Sequence, residues 1–73
     1  MAKAERILSM YDRLLEGRTL IKNEEAQRFQ VGSRTIQRDI DDIRAHLSER
    51  SDTGKELVFD RRKMGYVIKN NRN

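Results

Sequence analysis

The sequence predicts a mostly α-helical domain that closes with a small β-hairpin. Three observations predict it: apolar residues recur at three- and four-residue steps in three separate stretches, an i, i+2 alternation marks the last third, and no cysteine is present to build a disulfide framework. A chain of 73 residues makes one domain and buries only about 60% of the surface its unfolded form exposes. Its core is therefore small and held by apolar packing alone.

The first helix is expected from Ala4 to Glu16, with Ile7, Leu8, Tyr11, Leu14 and Leu15 as its apolar residues and Gly17 as its stop. Arg18 to Ile21 reads as an extended connector with room for one brief strand. Asn23 offers a side-chain oxygen to cap a short second helix from Glu24 to Gln30, whose glutamates sit at the positive end of the helix dipole. Ala26 and Phe29 are its apolar contacts. Val31 and Gly32 break the pattern, and Gly32 or Ser33 caps a third helix reaching about Glu49, striped by Ile36, Ile40, Ile43 and Leu47. A loop over 51–55 leads to two half-buried strands, Glu56 to Asp60 and Gly65 to Lys69, joined by a tip of Arg61, Arg62, Lys63 and Met64. Ile36, Ile40, Phe29 and Leu14 are expected to meet in one core. Three helices followed by a two- or three-stranded antiparallel wing is the order of a winged helix-turn-helix domain, here residues 1–69, with 70–73 a tail or the start of a linker to a C-terminal domain.

Charge gives this order a direction. Basic residues exceed acidic ones by 16 to 12, for a net charge of +4, and eleven of the sixteen are arginine, whose planar fork suits phosphates and guanine edges. At about 100° per residue, the face of helix 3 opposite its stripe carries Arg34, Arg38, Asp41, Asp42 and Ala45, flanked by Thr35 and Gln37. The N-terminal turns thus offer Ser33, Arg34, Thr35, Gln37 and Arg38, all of them donors, whereas the later turns are acidic. A recognition helix that enters a groove by its amino end needs that polarity, because phosphates repel the acidic half. Arg38 and Asp42 are also spaced i, i+4, so on a plain solvated surface they would pair with each other. The tip residues Arg61, Arg62 and Lys63 read as a wing for backbone phosphates or the minor groove. Asn23, beside Lys22, reads either as a phosphate contact or as a simple cap. The expected partner is double-stranded DNA.

Other function classes find little support. No nucleophile has a plausible base, no glycine-rich loop cradles a phosphate, and no paired carboxylates mark a pocket, so neither an enzyme nor a cofactor is expected. His46 is the one histidine and lacks a second ligand, which argues against metal and for a surface or flank position. No apolar run reaches signal-peptide or membrane-span length, so a cytoplasmic protein without membrane contact is expected.

The stretch Phe29-Gln-Val31-Gly-Ser-Arg34-Thr35-Ile36-Gln-Arg38-Asp39-Ile40 resembles the helix-turn-helix of DeoR-like regulators, and more closely the N-terminal domain of WYL-domain transcription factors. Arg6-Ile-Leu, Gly17-Arg18 and Gly65-Tyr66 extend the likeness over nearly the whole chain. The resemblance implies the DNA-reading head of a bacterial transcriptional regulator, a homodimer when full length, with sensing and dimerising parts C-terminal to this segment. It also implies Arg34, Thr35 and Arg38 as the main DNA contacts. Two positions depart from the pattern: Gly32 stands where a capping serine is usual, displacing the serine to Ser33, and Glu25 stands where helix 2 usually buries a leucine. The second predicts a loosely packed helix 2, or a surface met by another subunit or domain. The rival readings are a winged helix that serves as a protein-interaction module and, further off, an RNA-binding one; the salt dependence of duplex binding separates them.

Overall fold

The computed structural model describes residues 2–70, and of Ser51 only the backbone. Three helices, α1 (Lys3–Leu15), α2 (Lys22–Phe29) and α3 (Ser33–Glu49), precede a short 3₁₀ turn (Ser51–Thr53) and two antiparallel strands, β1 (Lys55–Asp60) and β2 (Gly65–Asn70). The strands pair from Lys55 opposite Asn70 to Asp60 opposite Gly65. Asn70 is thus the last residue of the hairpin rather than part of a tail, and 71–73 lie outside the described residues. A single isolated bridge between Leu20 and Tyr66, closed by reciprocal backbone hydrogen bonds of 2.8 Å, ties the connector to β2 without making the brief strand that the connector had room for, so the sheet has two strands. The molecule is a helix-rich domain with a β-hairpin wing.

Each helix ends for a local reason. Gly17 adopts φ +87°, and the amide groups of Gly17 and Arg18 donate to the carbonyls of Leu14 and Arg13, closing a Schellman turn that a Cβ would strain. Helix α2 stops in the same way at Gln30, φ +54°, where Gln30 N donates to Gln27 O and Val31 N to Ala26 O. The break between α2 and α3 therefore rests on a left-handed glutamine. Gly32, one of the two residues expected to cap α3, is its extended N-cap residue at φ −73°. The N-cap position of α2 falls on Ile21, with no side-chain cap, so Asn23 does not cap the helix but sits within its first turn.

The core is one cluster of Met10, Leu14, Leu20, Ile36, Ile40, Ile43, Leu47 and Leu57, edged by half-buried Ile7, Tyr11, Ala26, Phe29, Val31, Tyr66 and Ile68. The stripe of α3 falls inside as its spacing predicts. On α1 the buried line is Arg6, Met10 and Leu14, one step around the helix from the apolar stripe, so that Leu8 and Leu15 face outward. The rotation follows from a buried charge. Arg6 reaches across to Asp39 of α3, donating from Nε to Oδ2 and from Nη2 to Oδ1 at 3.2 Å, and both residues are buried. A bidentate guanidinium–carboxylate pair satisfies the donors and acceptors that burial would otherwise orphan. Glu25 is buried in the same manner: Arg13 Nη1 and Nη2 donate to its Oε2 and Oε1 at 2.8 and 2.6 Å, while the Arg13 guanidinium lies 5.8 Å from the Phe29 ring centroid. The expected looseness at Glu25 is therefore absent, because α1 of the same chain supplies the charge that covers it.

Candidate nucleic-acid interface

The amino end of α3 is open. Gly32, Ser33 and Arg34 are exposed, Thr35 is half-buried, and no side chain caps the first amide groups. Arg38, one turn further along, is exposed as well. The i, i+4 pairing of Arg38 with Asp42 does not form: Asp42 instead contacts Lys3 of α1 at 3.3 Å, and Asp41 is held by Arg44 at 3.3 Å. Among the described residues, neither Arg34 nor Arg38 forms an ion pair. Two unneutralised guanidinium groups thus occupy the first turns, while the acids of the later turns are locally compensated.

Gln37 is tied into the fold rather than free. Its Oε1 accepts from Lys22 Nζ at 3.2 Å and from Tyr66 Oη at 3.3 Å, and its Nε2 donates to Asp41 Oδ1 at 3.1 Å. Both acceptor lone pairs are taken and one amide hydrogen remains available. These bonds fasten the start of α2, the second turn of α3 and the turn end of the hairpin to one another. Lys22 and exposed Asn23 come to lie beside the wing in consequence. Tyr66 also has a cationic neighbour, since the Arg44 guanidinium lies 5.8 Å from its ring centroid.

The wing tip has its own scaffold. Asp60 Oδ1 accepts from the amides of Arg62 at 2.9 Å and Lys63 at 3.2 Å, an Asx turn that folds the carboxylate inward beneath the loop. Arg61, Arg62 and Lys63 remain exposed, and among the described residues none forms an ion pair. Gly65 anchors the loop to the body: a Cβ there would lie 2.7 Å from Leu20 O and 2.5 Å from Thr19 Cγ2, so only glycine lets β2 approach the connector this closely. His46 is exposed and stacks edge-on against Tyr11 with a centroid separation of 6.1 Å, the flank position expected of it.

Two exposed apolar side chains of this region were given no role by the sequence, although Met64 was placed at the tip. Phe59 of β1 and Met64 of the tip, together with Ile21, Lys22, Asn23 and Tyr66, line a groove of about 260 Å³ between the wing and the start of α2. The available signal was the alternation Leu57, Phe59 across from Ile68, Tyr66, which puts all four on one strand face. Alternation does not report where the core ends along that face. Among the described residues no group of three or more His, Cys, Asp or Glu forms a metal cluster, and no helix is long and apolar enough to cross a membrane. Comparison with known protein families, with curated proteins and with solved structures returns no match to this chain.

Proposed function

We propose that this domain binds double-stranded DNA in a sequence-dependent manner, as the reading head of a transcriptional regulator of the DeoR-like or WYL-domain kind. The N-terminal turns of α3 enter the major groove, and the 61–64 tip lies on the backbone or in the adjacent minor groove. One observation carries the reading: Arg34 and Arg38 stand exposed and unpaired at the open amino end of α3, on an element locked to the wing through Gln37 and Tyr66. The planar fork of arginine loses less freedom per hydrogen bond formed on a guanine edge than a lysine would, and these two have no internal salt bridge to break first among the described residues. The unpaired cations of the tip extend the positive surface to a second element. B-form DNA fits such a surface better than RNA, whose A-form major groove is too deep and narrow to admit a helix. In a full-length regulator, two such heads acting as a homodimer read two half-sites.

The test is titration of the domain against duplex DNA over a series of salt concentrations, followed by selection from random duplexes. Log affinity falls linearly with log salt at about −0.9 per neutralised phosphate, and selection returns a preferred site whose symmetry reports the oligomeric state. If no duplex binding is detectable even at low salt, the reading fails, and the domain belongs with winged helices that bind other proteins.

A further inference from the structure

The groove between the wing and the start of α2 has a composition that neither folding nor phosphate contact accounts for. Phe59 is 47% exposed and Met64 66% exposed, which sets them among the few large apolar side chains left in solvent. Phe59 shares its strand face with buried Leu57, so it points to the side of the sheet that packs on α3 and emerges where that packing ends. It meets Tyr66 edge-on at a centroid distance of 5.2 Å, which fixes its ring on the groove wall. Met64 holds a left-handed backbone, φ +54°, at a position where glycine would sit unstrained. The opposite wall brings Lys22 and Asn23, and among the described residues no carboxylate lines the groove. An apolar floor with cationic and amide rims therefore faces outward beside the wing tip, whose Arg61, Arg62 and Lys63 are exposed.

We propose that this groove seats one sugar–phosphate strand of the duplex, with Phe59 and Met64 packed against deoxyribose edges while Lys22 and Asn23 hold the flanking phosphates. The inference rests on the DNA-binding reading above. A helix in the major groove and a wing in the neighbouring minor groove are separated by one backbone strand, which must cross the protein between them. That strand alternates an apolar sugar face with an anionic phosphate, and the groove alternates in the same way. Lys22 spends one of its three ammonium hydrogens on Gln37, so two remain for a phosphate. Sugar contacts carry no base information, so the groove contributes affinity and register rather than sequence choice.

The prediction separates apolar from ionic contact by salt slope. Phe59→Ala and Met64→Ala should each weaken binding on the order of tenfold, as expected for removing one well-buried apolar contact. The loss should be equal on cognate and scrambled duplexes, with the wild-type salt slope retained because no phosphate contact is removed. Lys22→Ala should lower the slope by about 0.9. Circular dichroism melts monitor the fold, and Met64, being two-thirds exposed at a loop tip, provides a variant that leaves the core untouched. Wild-type affinity for both apolar variants overturns the proposal. So does a reduced salt slope in either, which would mean that these side chains act only by placing the neighbouring cations. Absence of duplex binding by the wild-type domain removes the DNA reading itself, and this inference with it.

Discussion

Arg6 of α1 and Asp39 of α3 form a buried, two-point ion pair between residues 33 positions apart in sequence. The hydrogen bonds that Arg6 donates to Asp39 raise its guanidinium above its ordinary pKa, against the opposing pull of burial and with further help from the carboxylate's charge. A folded-state pKa raised in this way contributes stability that is present below the unfolded value and lost as pH rises through the folded one. Here that window lies in strong alkali, so titration of Arg6 adds no pH dependence to stability in the ordinary range. The pair joins α1 to the buried face of α3, whereas Arg38, the neighbour of Asp39 in sequence, is exposed.

Breaking this pair on one side should cost far more than replacing it. Asp39→Ala leaves a buried guanidinium without a counter-charge and should destabilise the domain by about 3–5 kcal/mol, a large share of what so small a fold possesses. The double variant Arg6→Met, Asp39→Leu should recover most of that loss. Urea melts of the two measure it; a cost below about 1 kcal/mol for Asp39→Ala would show the pair to be superficial.

Ile40 lies fully buried within the core cluster. Ile40→Ala should cost roughly 2–5 kcal/mol through lost contact and the cavity left behind. Thermal denaturation gives the result directly, and an unshifted cooperative melt would contradict the placement of the α3 stripe.

Gln30 ends α2 in the left-handed region, φ +54°. Gln30→Gly should therefore stabilise the domain by about 0.5–1 kcal/mol, since the Cβ strain relieved there exceeds the entropy that glycine adds to the unfolded chain. A lower melting midpoint for this variant would be the contrary result.

Glycines 65 and 32 should respond differently to alanine. Gly65→Ala drives a Cβ into Leu20 O and Thr19 Cγ2, so a loss of about 1–3 kcal/mol is expected together with weakened protection of the Leu20 and Tyr66 amides in hydrogen exchange. A Cβ on Gly32 meets nothing within 4 Å, and Gly32→Ala should stay within about 0.5 kcal/mol of wild type. Equal effects at the two sites would refute this assignment.

Base reading and backbone holding should fail differently. Arg38→Ala is expected to cost about 1–3 kcal/mol on a preferred duplex and to relax sequence preference, whereas neutralising Arg61, Arg62 or Lys63 should weaken all duplexes nearly alike and reduce the salt slope by about one per lost phosphate contact. Both leave the fold intact, because every one of these side chains is exposed. Should Arg34→Ala and Arg38→Ala both keep the wild-type ratio of cognate to scrambled affinity, α3 is not the reading element.

The sequence by itself determined the order of elements and the orientation of α3, because a 3.6-residue period on Ile36, Ile40, Ile43 and Leu47 leaves Arg34 and Arg38 one way to face. It also placed the hairpin and its cationic tip, where alternation and turn chemistry act over a few residues. Tertiary structure decided what depends on a distant partner. Arg6 and Glu25 look like surface charges in a linear reading, yet each is buried because Asp39 and Arg13 meet it from another helix. That pairing in turn shifts the buried line of α1 onto Met10 and leaves Leu8 outside. Gln37, on the outward flank by its helical angle, is drawn into the fold by Lys22 and Tyr66, which stand 15 and 29 residues away. Periodicity reports the environment averaged along one element, whereas charge burial and side-chain bonding depend on which neighbour the fold delivers.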